Sequence, residues 1–360
     1  MGNLRQLSLW LPVALALTTA GCGPGHPGAP PIPTTTGYTP PGVPTEGTRP
    51  PAGKLPPAAE PQSAPPQAAQ VPGRIIGVGD SPEGVAVDAV TRTVAVAKRN
   101  PNELVLLNAD TVAITGRTPL PGFTRHLELA APGGPVLVPM ESANALIRVD
   151  LPGGRSGPQI VTGTVPHDAA QAQNGTVFVT NELGGTVAAI RGDRVVKVFT
   201  DVVQPAGTAA VGLSVGVLDV RTNDLTTYDA AALMITGSTP AGQGPTHLVA
   251  DKHGRMIAAD TRANTVRVFS PLPTPHEIAS VPQPDGPYGV AYDPARDRLW
   301  VASSGSNQVV GYDMTQATPR AVARITTVQN PYTLGVDATT GRLFIAGVTG
   351  GVLQVVDGPP

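Results

Sequence analysis

The stretch GPTHLVAD, Gly244 to Asp251, is one of several variants of a single pattern. The same order of proline, apolar alternation and closing aspartate appears in SPEGVAVD (Ser81 to Asp88) and GPYGVAYD (Gly286 to Asp293). Aligned on the proline position, seven copies emerge: PEGVAVD at Pro82, TRHLELA at Thr124, PHDAAQA at Pro166, PAGTAAV at Pro205, PTHLVAD at Pro245, PYGVAYD at Pro287 and PYTLGVD at Pro331. Their spacings are 42, 42, 39, 40, 42 and 44 residues. A second marker keeps the same period. Asn102, Asn144, Gly185, Asn223, Asn264, Asn307 and Gly350 each precede the third apolar run of a unit. Asn and Gly accept the positive backbone angles of tight hairpins, so a turn belongs at each marker.

Each unit reads as four strands. In the sixth these are GVAYD, RLWVASS, QVVGYD and AVARITTV. Four strands per 40–45 residues, repeated in tandem, predict an all-β, seven-bladed β-propeller of four-stranded blades spanning residues 73–360. The last unit holds only three strands, so RIIGVGD (Arg74 to Asp80) is expected to supply its outer strand and close the ring. Closure leaves few free sheet edges, which suits a monomer.

The repeat resembles the YncE-like, YVTN-type seven-bladed propellers, whose units run P-x-G-V-A-V-D, V-Y-V-A and N-x-V-x-V-x-D. The resemblance covers residues 73–357 and is best in units one, six and seven. It implies the fold and no single activity, since one fold hosts many functions. The pattern is not that of WD40 repeats, because no strand ends in Trp-Asp and Trp300 is the only tryptophan of the repeats.

Ahead of the repeats lie two segments of different character. Residues 1–21 carry Arg5, an apolar run from Leu9 to Leu17, and small residues up to Gly21, the layout of an export signal. The run is too short to span a bilayer. The following Cys22 is the only cysteine of the chain, and TAGC resembles a bacterial lipobox, with Thr19 where Leu is usual. Lipidation of Cys22 and anchoring at the extracytoplasmic face of the cell membrane are the expectation. Residues 22–72 then form a Pro-rich linker, with 16 prolines between residues 23 and 72, expected to stay extended and disordered.

Charge narrows the partners. There are 24 basic and 26 acidic residues, with no basic run, so nucleic acid is not an expected partner.

In a propeller the starts of the innermost strands and the ends of the second strands converge on one mouth of the central channel. The innermost starts read Glu83–Gly84, Arg125–His126, His167–Asp168, Ala206–Gly207, Thr246–His247, Tyr288–Gly289 and Tyr332–Thr333. The second-strand ends add Glu141, Glu182 and Asp260. The candidate ligand-binding residues are therefore Arg125, His126, His167, Asp168, Glu182, His247, Asp260 and Tyr288. Imidazole with carboxylate suits a divalent cation at His126, His167 and His247, or acid–base work near neutral pH. It suits equally a structural role, with each His capping a strand; His247 then stands across the channel from the other two. His253 and His276 are read as turn residues, and Asn108, Asp150, Asp229 and Asp313 as turn caps.

No nucleophile elbow, zinc helix or phosphate loop occurs, and Ser303–Ser304 is a loop. Two functions remain open. One is a non-catalytic lipoprotein whose propeller binds an envelope protein, a glycan or a small ligand at the mouth, with no resident cofactor. The other is a metal-dependent lyase or lactone hydrolase. Propellers of this architecture include lactonases and a streptogramin lyase, whose aromatic-rich W-F-T-E-like strands are missing here.

Overall fold

The structure, a computed structural model, describes residues 41–51, 53–67 and 70–359. The export signal, Cys22 and the first part of the linker lie outside the described residues. The repeats form seven antiparallel four-stranded sheets, blades I to VII, arranged as a β-propeller. Blade VI is representative: Pro287–Asp293, Arg298–Ser303, Gln308–Asp313 and Arg320–Thr326 run from axis to rim in sequence order.

Burial explains the composition of each run. The second and third strands are sandwiched between neighbouring blades and are buried along most of their length, as in Thr93–Lys98 and Thr186–Arg191. Outer strands alternate between exposed and half-buried residues, as in Met234–Pro240. The core is divided into seven apolar clusters, each filling one seam between adjacent blades. The seam of blades I and VII holds Val94, Val105 and Leu107 against Phe344, Leu353 and Val355.

The hairpin markers behave as backbone chemistry requires. Asn144, Gly185, Asn223, Asn264, Asn307 and Gly350 all have positive φ. In blade I the positive angle sits at Asn100, two residues before the expected Asn102. Three of the predicted turn caps are present: the side-chain oxygens of Asn108, Asp229 and Asp313 each accept backbone N–H groups two or three residues on, whereas the Asp150 carboxylate accepts from Arg155. The third and fourth units, PHDAAQA and PAGTAAV, which keep little of the repeat motif, still build full blades. Blade II is the irregular one, with Glu128–Leu129 as its innermost strand and Ile160–Val161 as its outermost.

The ring closes as the sequence predicts. Arg74–Gly77 pairs antiparallel with Val352–Val356 at the outside of blade VII, and the N–H groups of Val78 and Gly79 both donate to the Gly351 carbonyl.

The linker departs from its expected disorder where it is described. Thr45–Glu46 adds a fifth strand to blade III, parallel to Arg194–Phe199. The chain then passes over the mouth face from blade to blade. Arg49 donates to the Gly184 and Val202 carbonyls, and Arg221 to those of Leu55 and Pro56. Arg262 donates to Pro57 O and Asn307 to Pro65 O, while Gln62 N–H and Ala64 N–H donate to Ser304 and Asn330. A proline-rich chain lacks donors and leaves its carbonyls open. Here arginine and amide side chains of blades IV to VII satisfy them, so the segment is ordered by the propeller rather than by itself.

Candidate functional site

The innermost strands place their side chains in tiers along the axis, because successive residues of a strand alternate in direction. The first residue after each proline position faces the mouth: Arg125, His167, Thr246 and Tyr288 line a gap there together with Ala58, Ala59 and Glu60 of the linker. The second residue lines the lumen below, in a chamber of about 190 Å³. Gly84, His126, Asp168, His247, Gly289 and Thr333 all belong to that lining.

The three histidines meet. His126 has its ring centroid 4.4 Å from that of His167 and 4.7 Å from that of His247, and Tyr288 lies edge-on to His247 at 4.3 Å. His247 therefore does not stand apart across a wide channel. Blade IV, between blades III and V, contributes only Ala206–Gly207 at this level. A Cβ on Gly207 would fall 2.7 Å from the Thr246 carbonyl oxygen, so the strands approach too closely for any side chain. The small residues of blade IV leave room on the axis for the imidazoles of the blades that flank it.

An ion cluster holds the blade II–III side of the mouth. Arg125 Nε donates to Glu141 Oε1 at 2.6 Å and Arg125 Nη2 to Glu182 Oε2 at 2.8 Å. His167 Nδ1 lies 3.3 Å from Glu141 and 3.2 Å from Glu182, and Gln204 Nε2 donates to Glu182 Oε1 at 2.9 Å. Burial alone would raise both carboxylates, but Arg125 and His167 outweigh it and hold Glu141 and Glu182 below the usual range. Burial opposes charge on His167 too, yet Glu182 and Glu141 push it up to about 9, so it is an imidazolium at neutral pH.

The other two histidines are neutral. Burial, then the positive charge of His167, lowers His126 well below its ordinary value and His247 to about 3. His247 is 7% exposed, and neither of its ring nitrogens has a hydrogen-bond partner among the described residues.

Asp168 and one residue missed in the sequence complete the lumen. Asp168 accepts the N–H groups of Ala169 and Thr208. Glu128 occupies the next tier down, where the other units carry Ala86, Ala170, Ala209, Val249, Ala291 and Gly335. Its side chain is exposed to the lumen, and the surrounding protein together with Asp168 raises its carboxyl. Burial likewise raises Asp168. The signal for Glu128 was legible as the one charge in a column of small apolar residues.

Of the expected site residues, Asp260 does not join the site. Asp260 is fully buried, and its carboxylate accepts Gln243 N–H, Gly244 N–H and Arg267 Nε; it caps a turn and holds the entry to blade V. Ser303 and Ser304 are engaged with Gln283, Pro284, Gly286 and Gln62. His253 pairs with Asp297, and His276 is exposed. Among the described residues, no group of three or more His, Cys, Asp or Glu side chains is placed to hold a metal ion. The His126, His167 and His247 set fails because His167 is turned to its glutamates and carries a proton.

The cluster makes stability pH-dependent in both directions. His167, raised from 6.5, contributes stability that is complete below pH 6.5 and lost as pH rises through about 9. Glu128 and Asp168, also raised, act in the same sense. His126 and His247, depressed, contribute stability present above 6.5 and lost as pH falls below it. Urea midpoints measured across this range are expected to peak near neutral pH. His167→Asn should flatten the alkaline limb and His247→Leu the acid limb.

No protein-family profile matches the chain, and no curated protein matches it in sequence. Solved structures do match in fold. A chain of Kuenenia stuttgartiensis hydrazine synthase is 15% identical, with a TM-score of 0.67 over 81% of this chain and 98% of that one. Virginiamycin B lyase from Staphylococcus aureus is 16% identical, with a TM-score of 0.62 over 80% and 99%. A chain of the mitotic checkpoint complex is 11% identical, with a TM-score of 0.69 over 87% and 99%. At such identities the likeness is one of fold, and it agrees with the seven sheets and the closed ring: the chain is a seven-bladed β-propeller.

Proposed function

We propose that this protein is a lipid-anchored, extracytoplasmic binding propeller that holds a small polar ligand in its axial chamber without transforming it. The observation that carries the reading is His247. A buried imidazole with both nitrogens unpartnered costs about 1–3 kcal/mol, and binding sites accept such a cost in order to leave a group free for a ligand. Thr333 Oγ1, buried and lining the same chamber, is likewise without a partner among the described residues.

The linker favours a small ligand over a protein or glycan. Ala58, Ala59 and Glu60 face Arg125, His167 and Tyr288 across a gap of only about 20 Å³, so the mouth offers no broad open face. The reading as a metal-dependent lyase or lactone hydrolase has less support, since the donors that would build the metal site are committed to one another. Membrane anchoring rests on the export signal and the lone Cys22 in the sequence.

His247→Leu tests the reading. It removes the two orphaned nitrogens at similar volume, so stability should rise by about 1 kcal/mol, seen as a higher urea midpoint. Native mass spectrometry of the protein isolated from its envelope should show a bound small molecule in the wild type that the more stable variant lacks. A variant that is less stable, or a wild type carrying nothing, would sink the proposal.

A further inference from the structure

We infer that the axial chamber takes a small alkylammonium, its cation seated beside Glu128 and Asp168 in the lumen that His126 and His247 also line. The inference deepens the small-ligand reading above and rests on it.

The argument begins with charge in the lumen. Arg125 and His167 are matched by Glu141 and Glu182 at the mouth, one tier up. Below them no Lys or Arg lines the chamber among the described residues, while Glu128, Asp168, His126 and His247 all do. Glu128 has no hydrogen-bond or ion-pair partner among the described residues, and the group that acts on it is another carboxylate, Asp168. Two carboxyls that share one lumen repel each other when both ionise, and a cation beside them relieves that repulsion.

Donor chemistry points the same way. Two carboxylates and two neutral imidazoles can all accept hydrogen bonds, and a primary ammonium brings three N–H donors and nothing that must be accepted. His247, more than nine-tenths buried with both nitrogens unpartnered, is an independent sign that an occupant belongs here.

Size and walls set the rest of the ligand. The chamber of about 190 Å³ is bounded by Val87, Leu129, Leu248, Val290, Leu334 and Val336. A cavity of roughly 150 Å³ admits benzene, so a cation with an alkyl part of a few carbons fits. The apolar walls would take the alkyl part and the carboxylates the ammonium.

The test titrates the full chain with propylammonium chloride, n-propanol and sodium propionate at matched ionic strength, by calorimetry and ligand-observed NMR. Propylammonium is expected to saturate with a dissociation constant on the order of 1 mM, and the neutral and anionic probes to bind at least about tenfold more weakly. Glu128→Ala and Glu128→Gln should each weaken propylammonium about tenfold or more while melting no lower than the wild type. The alanine variant carries what four other blades carry in that tier. If n-propanol binds as well as propylammonium, or the Glu128 variants bind it unchanged, the cation assignment falls and the small-ligand reading stands. Saturable uptake of calcium or zinc in place of propylammonium would also overturn it. If no probe saturates and nothing co-purifies with the protein, both readings fall.

Discussion

Replacing Arg125 with leucine is expected to destabilise the propeller by about 3–5 kcal/mol, the usual cost of stripping one partner from a buried ion cluster. Glu141 and Glu182 have side chains only 3% and 10% exposed, and Arg125 neutralises both at once. Without it, His167 alone faces two carboxylates on adjacent blades. Those acids must then stay charged and half-paired, or take up protons. Urea unfolding at pH 7 should show the loss directly. Adding Glu182→Gln to the Arg125→Leu background should restore part of it, since one positive group then faces one negative. Arg125→Lys should fall between, because a point ammonium cannot reach both glutamates with the geometry of a guanidinium fork. A cost below about 1 kcal/mol would show that the cluster is solvated rather than structural.

The second large effect concerns the ring closure. A chain beginning at Gly79 lacks Arg74–Gly77 and Val78, and so leaves the Val352–Val356 edge unpaired. Four ladder positions, the buried Val78 and the half-buried Ile76 are lost from the seam of blades VII and I. At about 1 kcal/mol per hydrogen bond and about 2 per buried aliphatic side chain, less the entropy regained, the net loss is on the order of 5 kcal/mol. The melting temperature should drop on the order of 10 °C, and sedimentation should reveal self-association through the exposed edge. A chain beginning at Val71 keeps the closing strand and serves as control; it should melt close to the full chain and remain a monomer. Equal behaviour of the two shortened chains would mean that the ring does not depend on this strand.

The architecture was readable because a closed propeller writes itself into the chain many times. Proline, marker and aspartate recur in register, and seven imperfect copies outvote the defects of any one. The mouth residues were readable for the same reason: a column of equivalent positions in a ring must face a common axis. What the columns could not convey is distance. The approach of His247 to His126 goes with the small residues Ala206 and Gly207 on the blade between, a feature of the assembled ring. Asp260 shows the opposite failure. It stands in the right column, yet local backbone N–H groups claim its carboxylate before any ligand could. Glu128 escaped notice because it lies one tier below the pairs that the repeat draws attention to. The ordering of the linker was out of reach for another reason, since the donors that fix it stand on Arg221, Arg262 and Asn307, far along the chain.

That linker has a mechanical consequence. Its attachments between Thr45 and Pro65 follow one another along the chain, so tension applied from the side of residue 41 loads them singly, as a seam is peeled. The closing strand beyond them meets the same tension with four paired residues sharing it at once. The linker is thus a reserve of slack in series with a stronger latch. Pulling should strip Ala58–Glu60 from above the histidines well before the ring itself gives way.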